Sequence, residues 1–136
     1  MEFNKLVPEL SVSNIDKSRE FYINILHFNV EYERPEDKFM YISYYGAQMM
    51  IEEINNHWNV GELIKPFGRG INFQIETNEL DALYSRLVEH KVEIYKPIFE
   101  SKYTANNTTY IERELLVQDP DGYLLRFQET IDEVNK

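Results

Sequence analysis

A β-type run, a helix and three further β-type runs occur twice, in the same order, along this chain, and no other feature of the sequence constrains its fold as tightly. In the first pass residues 6–12 alternate apolar and polar at the period of a half-buried strand. Ser13 and Asn14 then offer capping side chains, and Ile15, Ser18, Phe21, Tyr22, Ile25 and Leu26 recur at helical spacing, predicting a helix over about 16–26. Three β-type runs follow: 29–34, closed by Pro35-Glu36-Asp37; 38–44, closed by Tyr45-Gly46; and 47–53. In the second pass residues 71–76 alternate, Asn78 is placed to cap, and Leu80, Leu83, Tyr84, Leu87 and Val88 predict a helix ending near His90. Strands are expected at 92–99, 113–118 and 123–129.

The repeat survives comparison residue by residue. Asn14 and Asn78 stand 64 positions apart, and residues 46–53 parallel 122–129 at an offset of 76. The 12 extra residues fit a polar loop over 100–112, which holds Asn106-Asn107-Thr108-Thr109; so long a loop is expected to be functional or disordered, and to order when ligand arrives. The fold class is therefore α+β. One domain over 1–136 holds two βαβββ modules, at about 3–54 and 70–130, joined by a linker over 55–69 that carries Trp58, Pro66 and Gly68.

Composition narrows function by exclusion. Fourteen basic against 24 acidic residues give a net charge of −10, which argues against nucleic acid, whose binding rests on Lys and Arg neutralising phosphate. A cationic ligand suits that charge better. With zero cysteines, disulfide scaffolds, thiol catalysis and thiolate metal sites are excluded. The first residues lack a basic segment followed by an apolar run, and no stretch approaches the roughly 18 apolar residues of a membrane helix, so a cytoplasmic protein without a membrane partner is expected. Ten Tyr, eight Phe and one Trp are enough to line a pocket as well as fill a core.

Two stretches carry a family resemblance: residues 8–22, from Pro8-Glu9-Leu10 to Phe21-Tyr22, with Ile25-Leu26-His27-Phe28, and residues 113–127, which contain Asp119-Pro120-Asp121-Gly122. Together with the internal repeat, these resemble the vicinal oxygen chelate superfamily of glyoxalases, fosfomycin-resistance proteins, extradiol dioxygenases and bleomycin-resistance proteins. That resemblance implies a curved, partly open eight-stranded arrangement with helices outside and the ligand on the concave face. Leu6, Leu10, Val12, Met49, Ile51, Ile71, Phe73, Ile75, Leu125 and Phe127 are then expected toward the helices. Val7, Glu9, Ser11, Gln48, Met50, Glu52, Asn72, Gln74, Leu124, Arg126 and Gln128 are expected toward the cavity. Polar residues there need a ligand, water or one another.

Metal-dependent members place His or Glu on matched inward strand positions, because a divalent ion needs several converging donors. By the resemblance, three of those positions fall on Val7, Gly70 and Arg126, and a fourth on Met50 or Glu52. One carboxylate makes no metal site, and Arg126 puts a permanent cation where the ion would lie. His27 and His90 stand at helix ends and His57 in the linker, without the spacing of a metal motif. No nucleophile with a positioned base is recognisable, although Glu9, Glu52 and Glu114 are open to acid–base work.

The remaining pattern is most similar to the metal-free bleomycin-resistance proteins, whose Arg-Glu-Phe-x-Leu-x-Asp-Pro-x-Gly stretch is matched by Arg113-Glu114-Leu115-Leu116-Val117-Gln118-Asp119-Pro120-Asp121-Gly122. The resemblance implies a homodimer that sequesters a cationic, aromatic drug without cofactor or catalysis. Candidate ligand-binding residues are Tyr32, Phe39, Glu52, Trp58, Asn72, Tyr103, Tyr110, Glu114 and Arg126. Aromatic faces would hold flat rings, and carboxylates would hold ammonium or amidine groups. Plainer readings stand beside these: Phe39 as core, Tyr103 as a surface residue, Glu114 with Arg126 as a cross-strand ion pair. Asn72 stands where some bleomycin binders have tryptophan. The alternative is a metal-dependent glyoxalase, dioxygenase or fosfomycin-resistance type of enzyme.

Overall fold

Pro8 has no backbone N–H to give a sheet, and the first strand, β1, begins only after it, at Glu9–Val12. A computed structural model describes residues 1–135 of the 136. The order continues with α1 (Ile15–Arg19), β2 (Asn29–Arg34), β3 (Phe39–Tyr44), β4 (Ala47–Glu53), β5 (Asn72–Glu76), α2 (Leu80–Glu89), β6 (Ile94–Ala105), β7 (Thr108–Gln118) and β8 (Leu124–Asn135). The expected α+β fold is observed as two mixed four-stranded sheets, ordered β1-β4-β3-β2 and β5-β8-β7-β6, each with one parallel pair and otherwise antiparallel neighbours. The chain divides into two compact units: residues 1–69 with 119–122, and residues 70–118 with the chain from Tyr123 onward. No helix among the described residues is long and apolar enough to cross a membrane.

In unit one, the Asn14 side chain accepts the Lys17 N–H at 3.0 Å and caps α1 as the sequence predicts. The helix then widens into a π-helical segment, Glu20–Ile25, with Leu26 N–H donating to the Phe21 carbonyl. His27 follows at φ 67°, the left-handed position that ends helices. Phe21, Tyr22, Ile25, Leu26 and Phe28 are buried, with Tyr22 edge-on to Phe28 at 5.5 Å. Leu10, Val12, Met49 and Ile51 are buried as expected. Each such side chain contributes about 2 kcal/mol.

Residues 119–122 belong to this unit through their carboxylates. Tyr22 Oη donates to Asp119 at 2.8 Å, the Ser13 N–H to Asp121 at 3.1 Å, and the Phe67 N–H to the Asp121 carbonyl at 2.8 Å. Gly122 has φ +102° and no room for a side chain: a Cβ there would lie 2.5 Å from the Pro66 Cβ. The Asp-Pro-Asp-Gly stretch is thus a structural clasp.

In unit two, Leu80, Leu83 and Leu87 of α2 and Leu115, Val117, Leu125 and Phe127 of the sheet are at most 1% exposed. Helix α2 ends at Glu89 with His90 as its C-cap, as expected, and Lys91 follows in the left-handed region at φ 57°. Three expectations need correction. The loop over 100–112 is absent: β6 and β7 form one long hairpin turning at Asn106-Asn107, where Asn106 adopts φ 57°. Asn78 does not cap α2; the Thr77 hydroxyl accepts the Glu79 N–H at 3.1 Å. Leu6, at 86% exposure, and Ile71, at 58%, lie outside the strands, so neither faces a helix.

Candidate functional site

Alternation in β5 to β8 sends one face to α2 and leaves the other to polar side chains. The register sets Gln74 beside Arg126, Glu114 beside Gln128, Ser101 beside Glu112 and Tyr103 beside Tyr110. A cleft of about 410 Å³ is lined by Gln74, Ser101, Lys102, Tyr103, Glu112, Glu114 and Arg126. Glu114 is 5% exposed, and such burial is costly for an unpaired charge. Arg126 supplies the cation: Nε and Nη2 donate to Glu114 Oε1 at 3.1 and 2.7 Å, while Ser101 Oγ donates to Oε2 at 2.9 Å. The Arg126 Nη1 group reaches on to Asn72 Oδ1 at 3.2 Å. Three of the candidate residues, Asn72, Glu114 and Arg126, therefore form one connected group, with Glu114 and Arg126 in the cross-strand ion pair.

Glu112, 3% exposed, accepts from Gln128 Nε2 at 2.9 Å. Tyr103 and Tyr110 stack with centroids 5.1 Å apart and planes 24° apart. Partial burial pushes the Tyr103 phenol above its ordinary value, and its hydrogen bond to the Glu112 carboxylate adds to the shift. At 47% exposure, Tyr103 offers an aromatic surface at the cleft wall. The cleft thus combines a fixed guanidinium, two buried carboxylates and a stacked phenol pair, a set suited to holding a polar aromatic molecule.

The inner face of unit one is built differently. Tyr32 stacks on Tyr41 at 5.3 Å and lies 5.8 Å from Phe39, and Phe3 meets Tyr41 edge-on at 5.1 Å. Phe39 is 2% exposed, with the Arg34 guanidinium 4.0 Å from its ring centre. Glu52 pairs with Phe39 across the strands and accepts from the Asn55 side chain. Glu9 Oε1 is buried without a hydrogen-bond partner, and burial, then the neighbouring Glu52 charge, raises the Glu9 carboxyl above its ordinary value. Tyr32, Phe39 and Glu52 come together here; Trp58 does not join them but stands 64% exposed, edge-on to His57.

Sequence reasoning missed Ser101 and Glu112 as cleft residues, and Phe3, Arg34 and Tyr41 as parts of the aromatic group. The signal for the first two was the period-two alternation of Ser101 with Tyr103 and of Tyr110, Glu112 and Glu114 about an Asn-Asn turn.

A divalent ion does not fit this donor set. The inward position paired with Gln74 is Arg126, already bonded to Glu114, and the one paired with Glu9 is Met50. Among the described residues no three His, Asp or Glu side chains converge as metal ligands.

Fold and sequence together define the class. The chain belongs to the glyoxalase/bleomycin resistance protein/dioxygenase superfamily, whose family model matches residues 4–127. It is similar in fold to TioX from Micromonospora sp. ML1, at 16% identity over 95% of this chain and 100% of that one, TM-score 0.71. A glyoxalase/bleomycin resistance protein/dioxygenase from Alicyclobacillus acidocaldarius aligns at 18% identity over 97% and 96% of the two chains, TM-score 0.62. A superfamily member from Vibrio splendidus 12B01 shares 35% identity over 90% of this chain and 96% of its own, with a TM-score of 0.41. Among curated proteins none matches this chain. The superfamily includes both enzymes and non-enzymatic binding proteins, so chemistry must be argued from the site.

Proposed function

We propose that this protein binds and sequesters an aromatic, cation-bearing small molecule without a protein-bound metal, and that a bleomycin-type glycopeptide antibiotic is its ligand. The observation that carries this reading is the unit-two cleft: an open polar wall whose charged groups are already fixed, next to a half-exposed Tyr103 stacked on Tyr110. Fixed charges keep the cleft from reorganising on binding, and an exposed phenol ring gives a flat heteroaromatic group a stacking surface. The net charge of −10 attracts a cationic tail from solution. Asn72, Tyr103, Tyr110, Glu114 and Arg126 form this site, and Tyr32, Phe39, Glu52 and Trp58 are assigned a secondary contribution.

Holding the drug away from its target needs no bond to be made or broken; the Ser101 hydroxyl does donate to Glu114, but that carboxylate is already neutralised by Arg126 and serves as a fixed charge, not as a base. Calorimetric titration with metal-free bleomycin in chelator-containing buffer tests the reading. Saturable binding at one drug per chain is expected, with Tyr103→Ala about tenfold weaker through loss of stacking. No heat of binding, or binding only after a divalent metal is added, refutes it.

A further inference from the structure

Two carboxylates are buried at the unit-two cleft, and the chain treats them differently. Glu114 is neutralised: one of its oxygens accepts two Arg126 N–H groups and the other the Ser101 hydroxyl. Glu112, 3% exposed, makes no ion pair among the described residues. Its donors are all neutral: the Gln128 amide at 2.9 Å, the Thr130 hydroxyl at 3.5 Å and the Tyr103 phenol. A buried carboxylate held only by neutral donors has no counter-charge, and a cation brought to it forms a charge-assisted bond, about twice as strong as a neutral one.

The surroundings supply no such cation. Lys102 borders the cleft, but it stands between Ser101 and Tyr103 on a regular stretch of β6, so alternation turns its side chain to the opposite face, beside Ile111. Arg126 is occupied by Glu114 and Asn72. Glu133 stands opposite Tyr110 in the register, and its charge adds to that of Glu112 in raising the Tyr103 phenol, which no basic group among the described residues lowers. The hydroxyl end of Tyr103 is therefore acidic ground, next to a ring that is 47% exposed.

We propose that Glu112 is the residue that reads the ligand's charge, and that the cleft selects aryl cations whose protonated nitrogen lies within a few bonds of the ring. The spacing follows from Tyr103. A ligand ring stacked on its exposed face brings a closely attached cation over the phenol oxygen, within reach of the carboxylate to which that phenol is bonded. The phenol is a neutral donor on a half-exposed side chain, and a cationic donor takes its place on Glu112. This rests on the unit-two cleft being the ligand site, and adds which carboxylate selects and what it selects for.

NMR titration of the full chain with benzamidine and with its neutral near-isostere benzamide tests the assignment. The unaltered protein is expected to favour benzamidine about tenfold. E112Q should lose that preference while binding benzamide as before. Y103F keeps the stacking ring and frees Glu112 of its phenol donor, so it should keep the preference or enlarge it. If Glu112 served only to position Tyr103, the two variants would behave alike. Bleomycin binding without any preference for benzamidine, a preference that survives in E112Q, or one that disappears in Y103F overturns this proposal and leaves the cleft as the ligand site. Binding of neither probe nor bleomycin by the unaltered protein removes the ligand site and this role of Glu112 together.

Discussion

The two βαβββ units share a strand order and a register but fill their inner faces in opposite ways. At matching positions unit one sets Phe39 beside Glu52 and unit two sets Glu114 beside Gln128; unit one has Met50 beside Glu9 where unit two has Arg126 beside Gln74. Unit one buries aromatic rings under Arg34 and the N-terminal residues, with Asn4 N–H on Gln48 at 2.8 Å. Unit two buries carboxylates and neutralises them with Arg126 and Ser101. The topology is thus specified by the outer, helix-facing alternation of Leu10, Val12, Met49 and Ile51 and of Ile75, Leu125 and Phe127, which leaves the inner positions free to take either chemistry.

The turn before the fourth strand of each unit gives the sharpest contrast. Gly46 (φ +91°) has open space around its Cα, whereas Gly122 (φ +102°) sits against Pro66. Gly122→Ala should cost about 3 kcal/mol from strain and overlap together, and Gly46→Ala about 1 kcal/mol from strain alone, both read by denaturant unfolding. Equal costs would show that the clasp at 119–122 does not depend on close approach to Pro66.

Arg126→Met, which copies unit one's Met50, should cost about 2 kcal/mol, because it strands the buried Glu114 charge while Arg126 itself is partly exposed. Adding Glu114→Phe, unit one's pairing in full, should recover most of that loss. A double variant no more stable than the single would mean that the inner faces are not interchangeable.

Two carboxyls of unit one should respond to pH in opposite directions. The Glu9 carboxyl is raised from 4.5 by burial and by Glu52, so the folded state binds its proton more tightly and stability falls as pH rises through the raised value. Glu9→Gln should therefore be stabilising at pH 7, with the gain vanishing below about 4.5, in unfolding experiments at the two pH values. The Glu53 carboxyl is lowered by accepting the Ile15 N–H and by Lys38, so its contribution is present at neutral pH and lost as pH falls through the lowered value. Glu53→Gln should cost about 0.5 kcal/mol at pH 7 and nothing in acid, the scale of a part-exposed carboxylate at a helix start.

The repeat, all eight strands and both helices were legible because apolar periodicity marks every element that packs on a core. Residues 100–112 were not, since that hairpin pairs its backbone without covering an apolar core, and Thr108, Thr109 and Asn106-Asn107 read as loop chemistry. The extension of β8 to Asn135 was hidden for the same reason: Thr130 to Asn135 are largely exposed, and β7 breaks register at Ile111/Glu112. Among candidate site residues, Asn72 and Arg126 were read as inward-facing from strand alternation and Glu114 from the resemblance over 113–122, and the three share one hydrogen-bonded group. Trp58 was proposed from residue type alone, and its place outside any strand explains why periodicity gave no guide to its neighbours.

The account's central claim, that ligand recognition belongs to the polar cleft of unit two and needs no metal, is tested most directly by amide and side-chain NMR shifts during titration with metal-free bleomycin in the presence of chelator. Saturating shifts at Gln74, Ser101, Tyr103, Glu112 and Arg126 are expected. Shifts confined to the aromatic face of unit one, or shifts that appear only when a divalent metal is supplied, would contradict it.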